Sequence, residues 1–200
     1  MIPYQQLLDA ASPPAGAVDI VRFTIALRDA WRTDYGATSA HAPNLLEFED
    51  HGFTFLYDQT SASGEPVEDR LVAGLGHSRA GTGRRPGSRI RGLLGGGLVI
   101  PGKGRFDKGH LLAHSAGGGT DVNLFPQNLT LNRGQSPAGR RYREMERYAA
   151  THPGTLVFSY LKYNDASWVP VALEYGLLKD GQELWVEEFA NVDEGGCTVP

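Results

Sequence analysis

Residues 105–134 read RFDKGHLLAHSAGGGTDVNLFPQNLTLNRG. Two histidines (His110 and His114) and three asparagines (Asn123, Asn128 and Asn132) fall in this window, against two carboxylates, Asp107 and Asp121. Enzymes that use hard metal ions usually gather Asp and Glu oxygens around them. Here the polar chemistry lies in imidazole and amide groups instead. The segment predicts short extended pieces. Beyond it, Pro137–Ala150 (PAGRRYREMERYAA) predicts a helix, with proline in the first turn.

Working outward, GFTFLYDQ from Gly52 predicts a strand, SASGEP a turn and VEDRLVAGLG a second strand. Residues 78–104 are rich in Gly, Pro and Arg and predict a long loop, of the kind that is usually functional. The C-terminal part holds three β-like runs, TLVFSYLKY, WVPVALEYGLL and ELWVEEFANV, with a KDGQ turn between the last two. Upstream, residues 18–32 place Ile20, Phe23, Leu27, Ala30 and Trp31 at helical spacing, with Gly36 as the expected stop. These patterns predict an α+β fold. An antiparallel sheet forms the core, a strand–loop–helix insert carries the basic residues, and residues 1–45 form a helical extension packed on a domain covering 46–200.

Charge is unevenly spread. The chain carries −4 overall, yet residues 78–147 hold thirteen bases and four acids, a net of +9. The remaining positions hold six bases and nineteen acids, a net of −13. A polyanion such as nucleic acid suits the basic part, and a solvated basic face is the bland alternative. One cysteine, Cys197, excludes an internal disulfide framework and a cysteine-rich zinc site. No apolar run approaches the roughly 18 residues that a membrane span needs. The opening MIPYQQLLDAASPPAG lacks the basic start and apolar stretch of a secretory signal. Export by another route, or within a longer precursor, would leave the same pattern, so location stays open.

The order and spacing of DKGH (107–110), NLFPQ (123–127) and LNRG (131–134), followed by a helix with YREME, resemble the DNA/RNA non-specific endonucleases of the ββα-metal (His-Me finger) group. The resemblance extends more loosely over residues 52–190, with the finger at about 100–150. It implies a Mg²⁺-dependent, sugar-non-specific endonuclease, with Mn²⁺ as an alternative ion and both DNA and RNA as substrates. His110 matches the general base; a free imidazole titrates near pH ~6.5, so its neutral form dominates at neutral pH. Asn132 matches the direct metal ligand, and Asn123 an asparagine that supports the site near the scissile phosphate. Glu146 is matched to the glutamate that orients metal-bound water, with Glu144 as the alternative. Arg105, Lys108, Arg133, Arg140, Arg141 and Arg143 are candidate phosphate contacts that position nucleic acid without reading sequence.

Lys108 departs from the family, which carries arginine there; it keeps the charge but loses the bidentate fork. Gly109 is expected to let the backbone turn tightly so that His110 faces the metal. Asp107 is expected to order that turn, and Asn128 to serve as a turn residue. His110 and His114 could form a metal-binding pair, but no third ligand with zinc-like spacing accompanies them. Lys108 and the displaced glutamate support a competing reading, a nucleic-acid-binding module of the same fold with weakened catalysis. Small domains of this type include delivered toxins held in check by a cognate immunity protein, which adds an inhibitor protein to the expected partners.

Overall fold

The computed structural model describes residues 2–13, 16–60, 69–81, 105–120 and 122–192. Most of the long loop expected over 78–104, including Arg84, Arg85, Arg89, Arg91 and Lys103, lies outside the described residues, as does Cys197. Among those described, eight strands form two antiparallel sheets. The larger runs in the order β1 (Leu45–Asp50), β2 (Phe53–Asp58), β3 (Arg70–His77), β6 (Leu156–Lys162), β7 (Ala172–Lys179) and β8 (Glu183–Ala190). The smaller pairs β4 (Phe106–His110) with β5 (Leu124–Asn128). The fold is α+β with an antiparallel sheet.

Alternation along the central strands makes the sheet two-faced, since successive side chains point to opposite sides. On β6, Leu156, Phe158 and Tyr160 join one buried cluster while Val157 and Leu161 join the other. The first cluster is covered by α1 (Tyr4–Ala10) and α2 (Ile20–Thr38). Phe23, Leu27, Trp31 and Tyr35, spaced four apart on α2, are each at most 2% exposed, so this stripe seats the helix. The helix passes straight through Gly36 and ends two residues later, contrary to the expected stop. Tyr35 explains this: it is buried and donates to the Asp58 carboxylate at 2.7 Å, fixing the turn on which Gly36 sits. Strand β1 carried no sequence expectation, while α1 lies within the stretch 1–45 expected to be helical. Tyr4 anchors α1 by donating to Glu174, which is 1% exposed and paired with Lys162 at 2.6 Å.

The opposite face is covered by β4 and β5, the short helix α3 (Leu129–Asn132) and α4 (Pro137–Thr151). Leu111, Leu112, Phe125, Leu131, Tyr142 and Met145 pack there against Phe53, Phe55 and Tyr175 of the sheet. The described part of the basic segment from residue 105 onward is therefore a layer of the fold, bolted to it by its own apolar side chains. Among the described residues no helix is long and apolar enough to cross a membrane.

Candidate active site

His110 ends β4, pairing with Leu124 of β5, and is 8% exposed. Gly109 before it makes no tight turn, because it sits within the regular ladder opposite Phe125. The reason for glycine is steric. A Cβ there would stand 2.3–2.4 Å from the side chain of Gln127, which is fully buried. Behind His110, the Tyr142 hydroxyl of α4 donates to its backbone carbonyl at 3.3 Å.

The loop after His110 is held by Asn123, which is fully buried. Its Oδ1 accepts from the Leu112 amide at 2.8 Å, and its Nδ2 donates to the carbonyls of Leu112 (2.7 Å) and Gly119 (3.0 Å). Both ends of this amide are spent on backbone, so Asn123 shapes the loop. Within that loop, His114 Nδ1 donates to the Gly118 carbonyl at 3.0 Å, and its ring lies 5.9 Å from that of His110. Asn128 accepts from the Thr130 and Leu131 amides and so caps α3, the turn role expected of it.

Asn132 ends α3, and Ser136 caps α4 by accepting from the Gly139 amide at 2.9 Å. The two helices meet closely, since a Cβ on Gly139 would stand 2.7 Å from the Thr130 carbonyl oxygen. That contact brings the C-terminal end of α3 beside the first turns of α4. Lys108, His110, His114, Asn132, Arg133, Arg143 and Glu146 thereby line one pocket of about 380 Å³. Of the two candidate glutamates, Glu146 lines this pocket and pairs with Arg143 at 3.2 Å. Glu144 turns outward to Arg141, at 2.9 Å.

The arginines divide. Arg141 is a clasp between α4 and β8: it bonds Glu187 at 2.5 Å and lies over the Trp185 ring at 4.5 Å. Arg133 grips Asp107 with two bonds, Nε to Oδ2 at 2.7 Å and Nη2 to Oδ1 at 2.9 Å. Those bonds hold the Asp107 carboxyl below the usual carboxylate range. Arg140 and Arg105 are exposed, outside the pocket lining. Nothing in the sequence revealed the Arg133–Asp107 and Arg141–Glu187 pairs, whose members lie 26 and 46 positions apart.

Among the described residues, no group of three or more His, Cys, Asp or Glu side chains is placed to hold a metal. The pocket offers a different donor set, the amide oxygen of Asn132 and the carboxylate of Glu146. Asn132 Nδ2 is committed to Asp107 Oδ2 at 3.2 Å, which leaves Oδ1 as the atom this side chain can offer. Two oxygens beside a polar space with room for several waters suit a hard ion that keeps much of its hydration, such as Mg²⁺, and not zinc. A second cavity, of about 250 Å³, is lined by Asp34, Asn164 and Asp165 beside Arg70 and Lys162, but by no histidine that could serve as a base.

No protein-family model matches the sequence, and no curated protein matches it. Among solved structures the chain is similar to NucA from Streptococcus agalactiae, in a form with no metal bound and in one with magnesium bound. Identity is 14% and 15%, the alignments cover 82% and 81% of this chain and 89% and 90% of that one, and the TM-score is 0.45 in each. A likeness of that degree leaves function to be read from the pocket itself.

Proposed function

We propose that this chain is a metal-dependent nuclease that hydrolyses phosphodiester bonds of DNA and RNA, and that β4, β5, α3 and α4 form a ββα-metal finger. One observation carries the reading: His110, Asn132 and Glu146, contributed by β4, α3 and α4, line a single pocket with the cations of Lys108 and Arg143. A base, two oxygen donors and an excess of positive charge are what cleavage of a phosphate diester needs.

In this reading Lys108 draws the phosphate into the pocket as a point charge, without the fork of an arginine. His110 takes the proton of the attacking water onto an imidazole nitrogen as the new P–O bond forms. The bond from phosphorus to the 3′-oxygen breaks, and that oxygen takes a proton from solvent, leaving a 5′-phosphate and a 3′-hydroxyl. Asn132 Oδ1 would hold Mg²⁺ or Mn²⁺ directly and Glu146 through water, and the ion when bound supplies positive charge to the phosphate oxygens and the leaving group. The Tyr142 bond behind His110 and the Asn123-closed loop beside it hold the base in place.

The test is incubation of plasmid DNA and of single-stranded RNA with the purified chain. Cleavage is expected with Mg²⁺ or Mn²⁺ and none with EDTA. A wild-type protein inert toward both polymers with every divalent ion, or DNA binding with no cleavage, sinks the reading and favours the weakened binding module. In cells the same activity would make cytoplasmic expression toxic, and relief by the product of a neighbouring gene would identify a cognate inhibitor.

A further inference from the structure

Asp107 and Arg133 take no part in the reaction just described, yet they stand against the residue that would hold its ion. An asparagine amide can turn either its oxygen or its NH₂ toward a cavity with almost no change in shape. Only the oxygen can hold a cation. The orientation is set here by a partner that cannot donate: Asn132 Nδ2 reaches Asp107 Oδ2 at 3.2 Å. A flipped amide would press Oδ1 against that carboxylate oxygen. Asp107 is itself fixed by the paired bonds from Arg133, at 2.7 and 2.9 Å. Asp107 lies three residues before His110 on β4, and Arg133 directly follows Asn132, so the pair ties the strand carrying the base to the end of α3.

We propose that the Asp107–Arg133 pair is a positioning device that locks the Asn132 amide with Oδ1 presented to the pocket. Arg133, engaged in this way, is not a phosphate contact. The inference rests on the reading of Asn132 as the ion-holding residue, and it adds what makes that residue competent. Outer partners of this kind matter about 10–100-fold in metal affinity elsewhere.

The test is a calorimetric titration of the folded protein with MgCl₂ and MnCl₂, beside thermal unfolding in EDTA. Asn132→Ala comes first and is expected to abolish binding; if it binds as wild type, the ion-holding reading falls and this inference with it. Given that result, Asp107→Ala is expected to weaken binding about tenfold or more. Asp107→Asn, whose amide oxygen can still accept from Asn132 Nδ2 but whose NH₂ no longer forbids the flipped amide, is expected to recover only part of the loss, and full recovery would overturn the lock. Arg133→Met changes only a half-exposed arm and covers the case in which Asp107→Ala does not fold; it too is expected to bind the ions more weakly. Unchanged affinity in Asp107→Ala, or in Arg133→Met where the first does not fold, overturns the positioning role while leaving the nuclease reading intact. Arg133→Met should also leave the salt dependence of DNA binding in EDTA unchanged. A log–log slope reduced by about one would make Arg133 a phosphate contact and overturn the inference.

Discussion

His110 and Asn123 are both buried beside the pocket, but they should fail differently when removed. His110→Ala deletes the proposed base and leaves no backbone group unpaired, so cleavage is expected to fall about 10²–10⁴-fold. Its urea midpoint should stay near that of wild type. Asn123→Ala strands the Leu112 amide and the carbonyls of Leu112 and Gly119, all of which it now satisfies. Leaving buried backbone polar groups unmatched costs about 1–3 kcal/mol, so this variant should unfold at clearly lower urea. Activity and stability measured on both variants separate the two roles. Equal stability losses would remove the distinction drawn between them.

The link between α3 and α4 decides where Glu146 stands relative to Asn132, and Gly139 governs that link. Glycine to alanine inside a helix ordinarily gains about 1 kcal/mol. Here the added methyl would meet the carbonyl oxygens of Thr130 and Leu131 at 2.7 and 2.9 Å, contacts that neither backbone can yield cheaply. Gly139→Ala is therefore expected to lower the melting temperature and the cleavage rate together, and a gain in stability would show that the helices do not depend on close approach. Sequence could not show this, because glycine in a helix reads as a weakness until the neighbouring helix is known. Local patterns were legible: the Phe23–Leu27–Trp31 stripe, the alternating strands, and the order of motifs from Asp107 to Gly134. Elements made by distant contacts were not. Helix α1 has only seven residues, too few for its Tyr4–Leu7–Leu8 stripe to stand out, and it is held by Tyr4 reaching Glu174, 170 positions away. Strand β1, with its LLEFED sequence, shows mostly half-exposed or exposed residues at a sheet edge, so its acids hid the strand. The bases near the motif looked alike in sequence, and their separation into a pocket group and the Arg141 clasp depends on Glu187 and Trp185 of β8.

At the scale of the molecule, some of the described acids and bases that are remote in sequence meet at the seams between layers. Arg28 and Arg32 of α2 both bind Glu47 of β1, at 2.5 and 2.6 Å, joining the helical layer to the sheet edge. Partial burial pushes the Glu47 carboxyl up, but the bonds from Arg32 and Arg28 outweigh it and hold the group below its ordinary value. The sign of the pH effect follows from linkage. A carboxyl depressed in the folded state binds its proton more readily in the unfolded chain, so stability rises with pH across the interval between the two values. The contribution of Glu47 is present in full above the unfolded value of about 4.3 and is lost as pH falls through the lower folded value. Because the side chains are partly exposed, the effect is modest and salt should reduce it. The informative comparison is between wild type and Glu47→Gln, with urea midpoints taken at pH 6, 4 and 3. Glu47→Gln should be the less stable at pH 6, and the difference should narrow steadily on acidification, because protonation removes from wild type what the substitution has already removed. A difference that stays constant down to pH 3, or widens, would mean that the seam between α2 and β1 is held by its apolar contacts and owes nothing to this charge.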